Sequence, residues 1–366
     1  MPTKRTVGIR GAGLAGLSIA REIVRLEPNV SISVFDLRTR LPHPPRTFCF
    51  FRTDDTPVSA RFTASWDSVI FRGKSFERRL DVSQTPYTMI RGDDFFEPLL
   101  EELESAGVSF HWGCRDVEVT DRAIRCNGAS LEFDCVIDAA FQTATATSTL
   151  WQSFAGIWIR AASPAFDPTT AILMDLRESS DAAPVSFLYI LPTSPFTALV
   201  EHTTFSPSPL PEQYHLEQCT SWIRSNVGDE FEELEMERGT IPMGLRIPHA
   251  EGKYVTGSTA GMVRPATGYA FMATQRYSRH LSEHIFRGAP NPLGAYPSWL
   301  TVGDRLFLQA LRRSPLRGHN LMEKLLSRSP SRALVSFLSG DLSFRDALSV
   351  WFSVPKISMI RALLGI

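Results

Sequence analysis

Near the start of the chain, the apolar run Thr6-Val7-Gly8-Ile9 leads directly into Gly11-Ala12-Gly13-Leu14-Ala15-Gly16. Apolar residues then fall at helical spacing, at Leu14, Leu17, Ala20, Ile23 and Val24. Residues 30–35 alternate as a second strand that ends at Asp36. Strand, glycine turn, helix, strand and acid in this order predict a βαβ unit that binds a dinucleotide. Gly11 permits the tight turn, Gly13 lets the backbone approach a pyrophosphate at the helix N-terminus, and Gly16 allows close packing of helix on strand. Ala12, Leu14 and Ala15 complete this cradle. Asp36, twenty residues beyond Gly16, is placed to accept hydrogen bonds from an adenosine ribose.

Later segments favour FAD over NAD. Arg91 precedes a helix predicted over 94–106, which leads into the short strand Gly107-Val108-Ser109-Phe110. Val136-Ile137-Asp138-Ala139-Ala140 reads as a strand ending in a small-residue turn, suited to close approach of a cofactor. A second strand ends at Gly257, followed by small residues and by Gly268 opening a helix. Arg91, Asp138, Gly257, Arg264, Thr267, Gly268 and Tyr269 join the candidate cofactor-binding residues. Between these segments the sequence reads as strands and turns, with proline punctuation at 192, 195 and 207–211. Residues 213–227 and 231–238 read as helical or mixed, and 140–149 as a loop.

The expected fold is α/β: a glutathione-reductase-type (Rossmann-like) FAD-binding domain with an inserted antiparallel substrate sheet and a helical C-terminal region. The FAD domain takes 1–45, 85–150 and 240–295, the substrate domain 46–84 and 151–239, and the helical region 296–366. Composition sets the partners. With 38 basic and 39 acidic side chains the formal net charge is −1, which argues against bulk nucleic-acid binding. That balance is a cancellation. Residues 301–366 hold ten basic and four acidic side chains, a local +6 beside −7 on the rest. Basic amphipathic helices suit an anionic membrane surface. No run of 18 apolar residues and no secretory leader is present, so a cytoplasmic protein with peripheral membrane contact is expected. Five scattered cysteines without a CxxC pair predict neither a disulfide framework nor a zinc site, and a reducing compartment.

Residues 260–269, Ala260-Gly261-Met262-Val263-Arg264-Pro265-Ala266-Thr267-Gly268-Tyr269, closely resemble the FAD-proximal motif of lycopene cyclases. Leu191-Pro192 with Leu199-Val200-Glu201-His202-Thr203 resembles their acidic strand motif. Phe154-Ala155-Gly156-Ile157-Trp158, Met174-Asp175-Leu176-Arg177 and Ile241-Pro242-Met243-Gly244 match in order and approximate spacing, as do Phe307-Leu308-Gln309-Ala310-Leu311, Arg328-Ser329-Pro330 and Pro355-Lys356.

The resemblance implies a redox-neutral reaction with reduced FAD, NAD(P)H being the reductant. A carotenoid or other polyene end group, as in lycopene, is protonated, closes to a ring, and loses a proton. Such chemistry needs an acid in a dry pocket and an electron-rich group beside the cation. Glu201 is the candidate acid, with His202 second because strand alternation points the two to opposite faces. His202 departs from the family, where a second acid often follows the first. Arg46-Thr47-Phe48-Cys49-Phe50 departs too, where the family has a His-Thr-Trp-Ser-Phe type sequence, and this bears on how the end group fits. Ser258 stands where many flavoproteins carry Asp. Phe48, Phe50, Phe51, Trp66, Trp151, Trp158 and Phe271 are candidates to line a polyene channel. The alternatives are a flavin monooxygenase or halogenase on the same fold, and a catalytically inactive polyene-binding protein.

Overall fold

The strand Thr6–Arg10 is the centre of a five-stranded parallel sheet, because its apolar residues are needed on both faces. Ser31–Phe35 and then Ser109–His111 lie on one side of it, Cys135–Asp138 and then Tyr254–Val255 on the other. Helices Leu14–Leu26 and Phe271–Arg287 pack on each other beside this sheet. Val7, Ile9, Leu17, Ile23, Ile32, Ile137 and Leu281 are buried together there. The computed structural model describes residues 4–41, 46–53, 56, 61–115, 117–140, 148–177, 183–245, 254–292, 294–312 and 315–356. Most of the loop expected at 140–149 and the chain end from 357 lie outside the described residues.

A seven-stranded sheet stands across the cavity from this unit. Its order is Phe231–Met243, Leu150–Ala161, Thr197–Ser206, Val185–Pro192, Thr170–Asp175, Ser68–Arg72 and Glu77–Asp81. All neighbours are antiparallel except Thr170–Asp175 beside Ser68–Arg72. Phe231–Met243 corrects the helical or mixed reading of 231–238. Its glutamates favour helix in isolation, but pairing along the whole of Leu150–Ala161 overrides that preference. It is an edge strand, and its charges and Pro242 suit an edge. A small sheet joins Thr47–Phe51 and Ala64–Trp66 to Tyr87–Arg91. This small sheet packs into both cores, Phe50 and Ile90 with the nucleotide unit and Phe51, Tyr87 and Met89 with the large sheet.

The expectation for cysteine also needs correction. Cys114 and Cys126 form a disulfide, with their Cα atoms 5.3 Å apart. Spacing alone hid it. The chain between them turns back along Glu118–Val119 and Ala123–Cys126, and the Asn127 side chain accepts from the Arg115 N–H at 2.7 Å. Cys49, Cys135 and Cys219 are free thiols.

Helices Ser298–Arg312, Pro315–Arg328, Ser331–Ser339 and Phe344–Ser353 form the C-terminal region. Leu308, Leu311, Leu321, Leu325 and Leu334 bury their apolar faces in the same core as Leu173, Phe187 and Phe205 of the large sheet. Among the described residues no helix is long and apolar enough to cross a membrane.

Candidate functional site

The two sheets enclose a cavity of about 920 Å³, lined at one end by the glycine turns and at the other by the large sheet. At the first end Gly11 has φ +102°, a conformation that disfavours a side chain, and a Cβ on it would meet Ala139 at 3.2 Å. A Cβ on Gly16 would fall 1.8 Å from the Gly11 carbonyl oxygen, so helix and turn can close up only with glycine there. Gly13 is different. Only the Arg38 guanidinium comes within 4.0 Å of a Cβ built on it, so the Gly13 backbone faces open cavity. It is also the N-cap of Leu14–Leu26, and no side chain caps that helix. Its first N–H groups are available to an anion, as a pyrophosphate requires. Asp36 lines this end. Burial works to raise its carboxyl, but bonds from Arg38 and from the Ala12 N–H at 2.6 Å outweigh burial and hold it below its ordinary value.

The second glycine segment completes the cradle. Gly257 and Gly268 both have positive φ, and with Thr267, Tyr269 and Ala270 they line the cavity ahead of Phe271–Arg287. That helix, too, has no side-chain cap. Thr267 Oγ1 and Gln152 Oε1 are buried here without a hydrogen-bond partner among the described residues. Uncapped helix ends, an open glycine backbone and unpartnered polar atoms fit a dinucleotide laid along this wall, with a polar ring system near Gln152 and Thr267.

Three cofactor candidates hold the wall from behind and are outside the cavity lining. Asp138 pairs with Arg10 at 2.8 and 2.5 Å, and Arg10 is the one that reaches the cavity. Arg91 pairs with Glu235 at 2.6 Å and lies over the Trp158 ring. Arg264 is fully buried and bonds Asp304 at 2.9 and 3.1 Å, and it also donates to the Phe337 carbonyl oxygen. Its backbone closes the turn, donating to the Tyr269 carbonyl at 2.9 Å and accepting from the Gly268 N–H at 2.9 Å. Arg264 was a candidate cofactor contact, but its charge is taken up by a buried carboxylate partner.

The acid end is built on three neighbouring strands. Glu201 and Glu237 are both in register with Gly156, one from each side. A Cβ on Gly156 would stand 3.0 Å from the Glu201 Cβ, so the missing side chain leaves the two carboxyl groups free to meet. Both side chains reach the same end of the cavity. Burial, and then the Glu237 charge, push the Glu201 carboxyl well above the usual range, against the pull of the Thr203 hydroxyl at 3.0 Å. Burial raises Glu237 to about 7, although the Thr47 hydroxyl donates to it at 2.6 Å and Arg91 draws it down. Both line the cavity, as do Cys49, Tyr87, Tyr189 and Tyr269. The Tyr87 and Tyr269 hydroxyls lie 3.0 Å apart, and burial pushes all three phenols and the Cys49 thiol up, so they stay neutral.

His202 is not part of this site. It points to the other face of the sheet, where its ring is 2.9 Å from Ser186 Oγ and 2.9 Å from the His215 ring on helix Glu212–Asn226. Burial, followed by His215, lowers it to about 3, so it is neutral. Glu237 is the acid that the sequence reading missed. Its signal was the alternation Glu235-Met236-Glu237 just ahead of Ile241-Pro242-Met243-Gly244, hidden by the helical reading. Of the aromatic channel candidates, Phe48 and Phe271 line the cavity. Phe50 stacks behind Phe271 at 4.9 Å, Phe51, Trp66 and Trp158 are core, and Trp151 is half-buried outside the lining.

The chain is similar to known flavoproteins and carotenoid enzymes. PieE, a flavin-dependent monooxygenase solved in complex with FAD and substrate, has a TM-score of 0.61 and 16% identity over 100% of this chain and 72% of that one. A lycopene beta-cyclase of Paracoccus sp. is 24% identical over 97% of this chain and 95% of its own. One of Pseudescherichia vulneris is 28% identical over 71% and 69%. The model of the family described as lycopene cyclase protein matches residues 7–364, virtually the whole chain. With the glycine cradle and the paired acids facing one cavity, and that match running end to end, the chain belongs to the lycopene cyclase family.

Proposed function

We propose that the protein binds FAD along the glycine wall and, with the flavin reduced by NAD(P)H, cyclises the end group of a carotenoid such as lycopene without net oxidation. The observation that carries this reading is the pair of buried carboxyl groups, Glu201 and Glu237, at the far end of the cavity that the glycine turns line. When bound, reduced FAD supplies an electron-rich surface near the developing cation. The protein does the rest. Glu201 gives its proton to the terminal double bond, Tyr87, Tyr189, Tyr269 and Phe48 offer neutral aromatic surface to the cation, and Glu201 regains a proton as the ring loses one. Enclosure matters because water would trap the cation as an alcohol. Gly11, Gly13, Leu14, Ala15, Asp36, Gly257, Thr267, Gly268 and Tyr269 are the proposed cofactor contacts, with Ala12 and Gly16 shaping the turn behind them. Asp138, Arg91 and Arg264 support them from behind.

The substrate is apolar, and the C-terminal helices offer a means of reaching it. Trp299, Val302, Phe344, Leu348 and Phe352 are exposed, with Trp299 against Phe344 and Lys356 over the Phe352 ring. Phe344, Leu348 and Phe352 recur every four residues on one helix face, with Arg345 beside them. Apolar side chains flanked by cations fit an anionic lipid surface.

The test is anaerobic turnover of lycopene in liposomes, with FAD reduced by dithionite. Cyclic product should form, with deuterium from solvent in each new ring when the reaction is run in D2O, and Glu201→Gln should lower the rate about 10²- to 10⁴-fold. Folded, FAD-loaded protein that leaves lycopene unchanged, or that consumes oxygen and NAD(P)H to give an oxygenated product, would overturn the reading in favour of an oxygenase.

A further inference from the structure

Glu237 has no role in the cyclisation as described so far, yet its position is the most constrained feature of the acid end. It faces Glu201 across Gly156, whose missing side chain is what allows the two to meet. Its other oxygen contacts are fixed too, since the Thr47 hydroxyl donates to Oε2 at 2.6 Å. We propose that Glu237 is the positioning partner of Glu201: the two carboxyl groups share one proton, and the pair, rather than Glu201 alone, delivers the proton that starts ring closure and takes it back. This rests on the cyclase reading above.

The surroundings decide which member carries the charge. From Thr47–Phe51 and its approach come Arg46, Thr47 and Cys49. Tyr87 and Arg91 come from the neighbouring strand, Tyr189 from the large sheet, Tyr269 from the glycine turn, and Glu235 from the strand of Glu237 itself. The phenols and the thiol are neutral, so the cations in reach are Arg91 and Arg46, and both act on Glu237. Glu237, with Thr47 donating to it and the cations nearby, is the charged member. Glu201, next to Tyr189 and Thr203, is the neutral donor. Two carboxylates facing each other across one buried strand disfavour double ionisation, so burial, and then its neighbour's charge, hold the proton on Glu201. The proton balance follows. The Glu201 O–H bond breaks and a C–H bond forms at the terminal carbon, a π pair closes the ring, and a ring C–H bond breaks to return the proton to the pair. No electrons are gained or lost.

The experiment has two arms. Infrared difference spectra of the protein without substrate or cofactor report the carbonyl stretch of a protonated carboxyl group. Wild type should show it at neutral pH and keep it on the alkaline side, Glu201→Gln should leave only the band of Glu237, lost near pH 7, and Glu237→Gln should move the loss of the Glu201 band to lower pH than in wild type. In turnover, a neutral residue at 237 no longer disfavours ionised Glu201, so the alkaline limb of the kcat profile should fall by about one pH unit or more. KM should change little, and Glu237→Asp should return the limb toward wild type. A structural role would lower kcat without moving the limb. The proposal is overturned if both groups are ionised at neutral pH in wild type, or if Glu237→Gln leaves the limb in place. Should the shared proton be present in protein that cyclises no polyene, the pair stands and the cyclase reading fails.

Discussion

Replacing Asp304 by alanine tests whether Arg264 acts as the anchor of the glycine turn. The Arg264 guanidinium is 0% exposed and Asp304 is 3% exposed, joined by bonds of 2.9 and 3.1 Å, with the cation also 4.7 Å over the Phe337 ring. Removing one member of a buried pair strands the other charge in the interior, at a cost of about 3–5 kcal/mol. A domain's total stability is about 5–15 kcal/mol, so this is a large part of it. The reference is Asp341→Ala, which breaks the Arg276 pair of similar length, 2.9 Å, but with side chains 38 and 48% exposed. That change should cost under about 1 kcal/mol. Urea unfolding with a fixed m-value gives both numbers, and FAD titration gives a second. Because Arg264 closes the turn that ends at Tyr269, Asp304→Ala should also weaken FAD binding, although Asp304 is outside the cavity lining. An Arg264→Met, Asp304→Leu double variant should recover much of the lost stability, since apolar side chains of similar size carry no charge to desolvate. Equal costs for Asp304→Ala and Asp341→Ala would refute the anchoring role, as would FAD affinity that depends on Arg264 and ignores Asp304.

The two glycines of the turn should separate by assay. Gly13→Ala meets nothing closer than 4.0 Å, so its melting temperature should stay within a few degrees of wild type while FAD binding is lost; Gly16→Ala, with a backbone oxygen at 1.8 Å, should lose stability and FAD together. Burial holds His202 at about 3 and His215 at about 4 in the folded protein, against 6.5 ordinarily. The unfolded chain therefore takes up these protons first as pH falls, so their stabilising effect is complete above about pH 6.5 and is lost on acidification toward 3. Denaturation at several pH values should show His202→Asn with a shallower acid slope than wild type. Sedimentation with vesicles should show binding to anionic and not to neutral lipid, weakened several-fold in Phe344→Ser/Phe352→Ser; binding indifferent to these changes would place lipid contact elsewhere.

The nucleotide half was legible from sequence because its constraints are local. Gly11, Gly13, Gly16 and Asp36 each answer a demand made within thirty residues, and the structure places Gly11, Gly13 and Asp36 on one wall with Gly16 packed behind the Gly11 turn. What escaped were pairings between distant segments. Glu237 meets Glu201 only because both strands flank Leu150–Ala161, and a run of glutamates in isolation reads as helix. Arg264 read as a cofactor contact because Asp304, which neutralises it, comes forty residues later. Cys126 reaches Cys114 only through the strand reversal between them.

The altered residue after Glu201 takes on a different meaning in this light. Neighbours on a strand face opposite ways, so an acid at position 202 would lie under helix Glu212–Asn226, away from the cavity. There the imidazole of His202 has partners that suit it, Ser186 and His215, in a buried neutral network where a second carboxylate would need a cation or a proton. Exchanging that acid for histidine therefore changes the packing behind the sheet and leaves the reactive face with its full complement of carboxyl groups. The substitutions at Arg46, Phe48 and Cys49, on either side of the unchanged Thr47, are of the other kind. Thr47 donates to Glu237, while Phe48 and Cys49 line the cavity beside the acid pair, so changes there act directly on the space and polarity that an end group meets. If this chain handles a polyene differently from its relatives, the difference is expected to follow Phe48 and Cys49 and not His202. Exchanging Phe48→Trp and Cys49→Ser should shift which end groups are accepted while the Glu201–Glu237 proton stays where it is.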